Sequence, residues 1–221
     1  MTLEDFNPEK PRSKIYLPEV RAIIESDKFL RDGQKDLAGM SAKKDTLRHC
    51  QRMTNLGYLL AKHRNFSEEE IKIFVEICLL HDIGKTEIPQ KYLSKITGKF
   101  GPKDLKIVGV HAYRGYAYLK NRGRSPRVYN PVLLHHEFQE NPYPAIGIQF
   151  KGIEDVDVDN ARLLAMLDVF DRRIFGSSNI PPQPREQAEE KLKEQFNQPG
   201  DEEVINFLFS QYEKIKELSQ G

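Results

Sequence analysis

Cysteine is nearly missing from this 221-residue chain, which has only Cys50 and Cys78. Both fall in segments with helical apolar spacing, so they read as packing residues. No disulfide framework is expected, and a reducing cytoplasm is the default location. With no Cys-x-x-Cys pair, any bound metal must be held by imidazoles and carboxylates. No apolar run approaches the roughly 20 residues of a membrane span. The opening MTLEDFNPEKPRSK is too charged for a signal core. Excess charge is missing as well: 34 Lys+Arg stand against 33 Asp+Glu, a net charge of +1. That balance gives no electrostatic case for a nucleic-acid duplex or a membrane surface as partner. Internal repeats, low-complexity tracts and strand-like alternation are absent too. What is left is helical periodicity in a chain long enough for one large core, which predicts an all-α, single-domain helical bundle.

The most telling stretch is Ile71–Lys85, IKIFVEICLLHDIGK. Ile71, Phe74, Val75, Cys78 and Leu79 recur at i, i+3, i+4, i+7 and i+8, one apolar helical face. Asp82 continues that series, and His81 follows Cys78 by three residues. An imidazole and a carboxylate are therefore aimed inward at the end of an apolar helix, where ionisable groups are costly unless compensated. A cation held between them is the economical explanation. Gly84 is expected to let the backbone turn out of the helix.

Other elements follow in order. A first helix is predicted from Pro18 to about Leu30, then a polar loop over Arg31–Met40. Asp45 to His63 forms a second helix, with His49, Met53, Leu56 and Leu60 on its buried face and Asp45 one turn earlier. Ser67 with Glu70 reads as a capping box opening the His81-Asp82 helix. A turn at Pro89 and a short helix fall within Thr86–Leu93, and a loop over Lys95–Pro102. One helix spans Pro102–Lys120, carrying His111. Asn121–Asn130 reads as a basic connector, its Arg122, Arg124 and Arg127 solvated. Pro131 opens a helix bearing His135 and His136. The stretch 141–159 is irregular, and Asn160–Phe175 is a helix with Asp168 on its inner face. Past a proline-rich break at 180–184, Arg185–Phe196 and Glu202–Leu218 are terminal helices.

Five of the six histidines thus lie on or beside the apolar faces of separate helices; only His63 looks ordinary. Taken singly, each reads as a core histidine. Five inward imidazoles with Asp82 and Asp168 would be a poor core without a counter-charge.

The order His, His-Asp, His, His-His, Asp along successive helices resembles the HD superfamily of metal-dependent phosphohydrolases. HDIGKTEIPQKYLSK, HAYRG, the HHE at 135–137 and the LDVFD at 167–171 sit where its HD-GYP branch carries its motifs. The resemblance covers roughly residues 45–175. It implies His49, His81, Asp82, His111, His135, His136 and Asp168 as ligands of two divalent transition metals, Fe, Mn, Zn, Ni or Co, with Asp82 bridging both. Asp45 stands where some relatives hold a third metal with Glu. Lys85 matches the lysine on the scissile phosphate, so Asp82 and Lys85 carry the chemistry. The implied layout is a helical lead at 1–40, a metal-binding catalytic domain at 41–180 and completing helices at 181–221.

The implied activity is a phosphodiesterase acting on a cyclic dinucleotide such as cyclic di-GMP, or on another nucleotide phosphodiester, through a metal-activated hydroxide without a covalent intermediate. A small phosphorylated substrate is the expected partner, with an oligomer or a regulatory partner protein left open. The chain departs from the branch in two places. HHEFQENPYP keeps only Tyr143-Pro144 of the usual Gly-Tyr-Pro run. Ser177-Ser178-Asn179 replaces an Arg-Pro-Tyr-Arg-like element. Both lost parts help bind cyclic di-GMP in the branch. Two alternatives therefore stay open: a nucleotide phosphomonoesterase with the same centre, and a catalytically silent metal- or nucleotide-binding regulatory module. Further substrate contacts are sought at Arg114, Tyr143 and Arg172. For Arg114 solvent is the equal alternative, for Tyr143 loop packing is favoured, and for Arg172 a salt bridge to Asp171 is slightly favoured.

Overall fold

Ser67 Oγ accepts the backbone N–H of Glu70 at 3.3 Å, and the Glu70 carboxylate accepts the N–H of Ser67 at 2.9 Å. This capping box satisfies two N–H groups that a helix leaves open, and it starts α4 (Glu68–Leu80). Glu68, Glu69 and Glu70 put negative charge at the positive end of the helix dipole. From Phe74 to Leu80 every α4 side chain is buried, so the second half of this helix is enclosed on all sides, while Glu68, Glu69 and Lys72 in the first half are exposed. It packs against α2 (Lys28–Ala38), α3 (Lys44–His63), α8 (Pro126–Leu134) and α9 (Asp155–Phe175). Each fully buried Leu, Ile or Phe stabilises by roughly 1.5–3 kcal/mol.

The computed structural model describes residues 15–39, 44–93, 102–139, 142, 153–176 and 181–220. The fold is all-α, with no strand among the described residues. The remaining elements are α1 (Pro18–Ser26), a 3-10 segment (Ile83–Glu87), α5 (Gln90–Leu93), α6 (Pro102–Gly109), α7 (His111–Asn121), α10 (Arg185–Gln195), α11 (Asp201–Ser210) and α12 (Tyr212–Gln220). The long helices α3 and α9 pack on each other and on α4; α10 and α11 cover the outer side of α9. Among the described residues no helix is long and apolar enough to cross a membrane. Cys50 and Cys78 are buried free thiols, pushed up in pKa by burial, which suits packing and not reactivity.

Several boundaries differ from the sequence reading. The predicted first helix is two: α1 ends at Ser26, and Asp27 caps α2 by accepting the N–H of Phe29 at 2.7 Å. The expected loop over 31–40 is therefore mostly helix. Gly33 sits inside it because a Cβ there would lie 2.6 Å from Leu80 Cδ2, so its bareness lets α2 lie on α4. The 102–120 helix breaks at Val110, making His111 the first residue of α7. Helix α8 opens at Pro126 behind its cap Ser125, with Pro131 inside the helix and buried. The basic connector is correspondingly short, and Arg124 is not solvated. It donates to buried Glu76 at 2.5 Å and to Asp27 at 3.2 Å. Helix α9 starts five residues before the expected Asn160, at Asp155, behind a Glu154–Asp157 capping box. The last predicted helix is split at Gln211.

Gly84 corrects a further expectation. It lies in the 3-10 segment without a left-handed backbone. A Cβ on it would meet the His111 carbonyl oxygen at 2.0 Å and the Gly115 nitrogen at 2.4 Å. Glycine is there so that the segment after Asp82 can press against the first turn of α7. The Asp45 side chain, Tyr143, Pro144, Ser177-Ser178-Asn179, the lead over 1–14 and the loop over 94–101 lie outside the described residues.

Candidate metal centre

Helix α4 ends at Leu80, and His81 and Asp82 occupy the junction with the 3-10 segment. Both side chains are buried. Around them stand His49 from α3, His111 at the start of α7, His135 and His136 just past α8, and Asp168 from α9, all buried. His49, His81 and Asp82 form one group whose ligand-type atoms lie within 4.8 Å of one another, and His111, His135 and His136 form a second. Asp82 stands between the groups. Its Oδ2 lies 3.7 Å from His81 Nε2, and its Oδ1 lies 3.3 Å from His111 Nε2. Asp168 Oδ1 lies 3.1 Å from His49 Nε2. His63 stays apart, stacked on Phe207 at the surface.

The second ring nitrogens fix which way the lone pairs point. His81 Nδ1 sits 3.0 Å from the Cys78 carbonyl, His111 Nδ1 2.7 Å from that of Val108, and His135 Nδ1 2.6 Å from that of Val132. A carbonyl oxygen only accepts, so each Nδ1 carries the proton and each Nε2 presents a lone pair to the cluster. The shared i−3 spacing means that each helix end orients its own histidine. His49 Nδ1 is held differently, by the Asp171 carboxylate at 2.6 Å.

Burial pushes the His81 imidazole down to about 4, against the pull of Asp82. Burial and neighbouring imidazoles push His135 and His136 well below the ordinary range. Burial also lowers His111, although Asp82 opposes it. These rings are neutral bases at pH 7, the form that binds metals. Burial opposes ionisation of Asp82, but the Lys85 ammonium beside it holds its carboxyl well below the usual range. Asp168 behaves likewise, with Arg172 and His49 overcoming burial. His49 is raised despite burial, because Asp171 and Asp168 flank it.

Such a cluster is unstable unless protons or cations separate its lone pairs. His49 Nε2 approaches His81 Nε2 to 3.1 Å, and His136 Nε2 approaches His111 Nε2 to 2.9 Å. His135 Nε2 is buried with no hydrogen-bond partner, and Asp82 Oδ1 makes no hydrogen bond. Buried acceptors without donors fit a cation. A donor set of nitrogen and oxygen without sulfur suits borderline divalent transition metals.

The other candidates are placed unevenly. Lys85 pairs with Asp82 Oδ2 at the edge of the cluster. Arg172 reaches Asp168 Oδ1 at 2.7 Å, one turn back on its own helix, in place of the favoured bridge to Asp171. Arg114 donates to the Glu87 carbonyl and touches none of the cluster residues among those described. Sequence reasoning missed three supporting groups. Arg52 clamps Asp171, Asp171 holds His49, and Gln139 donates to Asp168 Oδ2 at 2.7 Å. Arg52 and Asp171 each follow a candidate ligand by three residues, on the same helical face, which is the signal that was available.

Comparison with known proteins agrees with this architecture. The chain is 32% identical over 172 residues to the cyclic di-GMP phosphodiesterase response regulator RpfG of Xanthomonas campestris pv. campestris, covering 76% of this chain and 40% of that protein. It is 26% identical over 217 residues to a cyclic di-GMP phosphodiesterase of Thermotoga maritima, covering 94% and 57%. It is 26% identical over 214 residues to a 3'3'-cGAMP-specific phosphodiesterase 2 of Vibrio cholerae, covering 91% and 40%. The chain thus spans about half the length of these curated relatives, or less. Among solved structures, the HD domain of L. monocytogenes phosphodiesterase PgpH superposes with a TM-score of 0.54 at 15% identity, covering 90% of this chain and 99% of that one. At that identity the likeness speaks for the fold alone. The model of the HD domain family matches residues 46–173, more than half of the sequence and every residue of the buried cluster, and the chain belongs to that family.

Proposed function

We propose that this chain is a metal-dependent phosphodiesterase of the HD-GYP-like type, acting on a cyclic dinucleotide or a related nucleotide diester. The observation that carries the reading is Asp82, a buried carboxylate with one oxygen toward each of two imidazole groups. In this reading His49, His81, Asp82 and Asp168 hold one divalent metal, and Asp82, His111, His135 and His136 hold a second. Metals at such a centre supply Lewis acidity and lower the pKa of bound water. The protein's part is orientation and charge. Backbone carbonyls lock three imidazole tautomers, and the buried setting strengthens every charge interaction. Lys85 and Arg172 place cations beside the two carboxylates, where they favour an anionic phosphodiester and the charge that develops on its oxygens. The substrate class is supported by the names of the relatives, two of which act on cyclic di-GMP and one on 3'3'-cGAMP.

The test begins with protein purified without chelators. Elemental analysis counts the metals, and turnover is measured on bis(p-nitrophenyl) phosphate, p-nitrophenyl phosphate, cyclic di-GMP, cyclic di-AMP and 3'3'-cGAMP. The expected result is diester hydrolysis that His81→Ala and Asp82→Ala abolish. Faster turnover of the monoester would replace this reading with the phosphomonoesterase. Bound metal without turnover of any of the five would replace it with a silent binding module.

A further inference from the structure

A cavity of about 260 Å³ lies on the opposite side of α9 from the cluster's histidines, among the end of α3, the starts of α4 and α8, and the loop before α11. Its polar groups are poorly matched within the protein. Asn160 on α9 is only 4% exposed, lines the cavity, and has no side-chain hydrogen bond among the described residues. Its amide atoms are not sealed off from solvent, so they face the open space of the cavity, where a ligand can pair with them. Arg127 has a buried Nε with no acceptor. Its ion pair among the described residues, to Glu70 Oε1, is loose at 3.7 Å, while the other Glu70 oxygen serves the Ser67 cap. Arg64, on the rim, has no ion pair among the described residues. Arg162 is already neutralised by Asp201. Of the lining carboxylates only Asp159 is uncommitted, and it is exposed, where solvent screens it. Phe66 and Met166 give the cavity an apolar wall.

We propose that this cavity binds a small phosphate monoester, of sugar-phosphate to mononucleotide size. Arg64, without an ion pair among the described residues, and Arg127, with an unpartnered Nε and a loose pair to Glu70, suit a doubly charged phosphate, which accepts from Arg in a fork. The Asn160 amide offers both a donor and an acceptor to a sugar hydroxyl or a base edge. The volume lies just under the ~300–1,000 Å³ of drug-sized ligand sites, which limits the body attached to the phosphate. The site uses none of the cluster residues and does not depend on the phosphodiesterase reading.

Calorimetric titration of the full chain tests it, before and after metals are removed with chelator. The probes are adenosine 5'-monophosphate and ribose 5-phosphate, with adenosine and inorganic phosphate as controls. Binding of at least one ester is expected to survive metal removal, which separates it from any binding at the cluster. It should weaken about tenfold or more in Arg64→Ala/Arg127→Gln and be lost in Asn160→Leu. Thermal melts without ligand check folding, and Arg64→Ala alone keeps the test valid if the buried substitution unfolds the chain, because Arg64 is exposed. No binding after metal removal, or unchanged affinity in the double variant, overturns the proposal. Adenosine or phosphate binding as tightly as both esters would overturn it too.

Discussion

Arg52 grips Asp171 through two hydrogen bonds, Nε to Oδ1 at 2.6 Å and Nη2 to Oδ2 at 2.8 Å, and the same carboxylate accepts a hydrogen bond from His49 Nδ1 at 2.6 Å. Arg52 is itself held over the ring of Phe175 at 4.7 Å. A cation, a carboxylate and an imidazole thus form a chain that ends at His49 Nε2, an atom assigned above to a metal.

Asp171→Asn should therefore weaken metal retention without touching a proposed ligand. It keeps the shape but removes the charge that makes His49 a stronger base, and such supporting contacts are worth roughly 10–100-fold in affinity. Retention against a competing chelator measures it. Arg52→Lys should fall between the two, because an ammonium cannot reproduce the fork. Asp171→Ala should also cost about 3–5 kcal/mol in urea unfolding, by breaking the buried two-bond ion pair between Asp171 and Arg52. Wild-type retention in Asp171→Asn would show the chain to be structural only.

Gly84→Ala tests how the 3-10 segment positions Asp82. The added methyl meets backbone of α7, which cannot rotate away as a side chain can. The segment must lift off α7, taking Asp82 from His111. A destabilisation of about 1–3 kcal/mol or more is expected, with bound metal falling in the same variant. A melt shifted by that amount with full metal content would place the role of Gly84 in packing alone.

These two cases show where sequence reasoning ran out. The spacing from Ile71 to Leu79 and the Ser67–Glu70 box are local, so α4 and its direction could be read from the chain. His49, His81, His111, His135 and His136 could be placed on inward faces one helix at a time. Arg52 and Asp171 are 119 residues apart, and no pattern pairs them before the helices are packed. Gly33 read as a loop residue because glycine is a poor helix former; contact with Leu80 overrides that preference. The Arg122–Arg127 run looked solvated because nothing local reveals that Glu76 needs Arg124. Glu76 sits among apolar neighbours on the enclosed half of α4, and its burial could be known only once α8 had packed on α4.

Tyr118 gives a prediction about pH away from the cluster. Its hydroxyl donates to Asp36 at 2.6 Å, joining α7 to α2. Burial, then the Asp36 hydrogen bond, raise its pKa from the ordinary 10 to about 12. Between those values the folded chain holds more protons than the unfolded one. Stability therefore declines as pH rises through that window, and the contribution is complete below pH 10. Urea midpoints measured from pH 8 to 11.5 should fall for the wild type at the alkaline end. Tyr118→Phe should start about 1 kcal/mol lower and lose this part of the slope, so that the curves converge. Parallel curves would remove Tyr118 as the source.

Gln139 offers the sharpest test of how Asp168 is held. Asp168 Oδ1 receives Arg172 at 2.7 Å and faces His49 Nε2 at 3.1 Å, while Oδ2 receives the Gln139 amide at 2.7 Å. A carboxylate fixed from both oxygens cannot rotate, so its remaining lone pairs keep one direction. Gln139 is only partly buried, and Gln139→Ala should leave unfolding almost unchanged while metal retention drops about tenfold. Gln139→Glu is the more informative variant. At neutral pH it sets a second carboxylate against Asp168, with no donor between them, and retention should fall further than in the alanine variant. As pH falls, the new glutamic acid regains a proton that it can donate to Oδ2, so the gap between the two variants should narrow relative to wild type. Equal retention in wild type, Gln139→Ala and Gln139→Glu at every pH would mean that Arg172 alone orients Asp168.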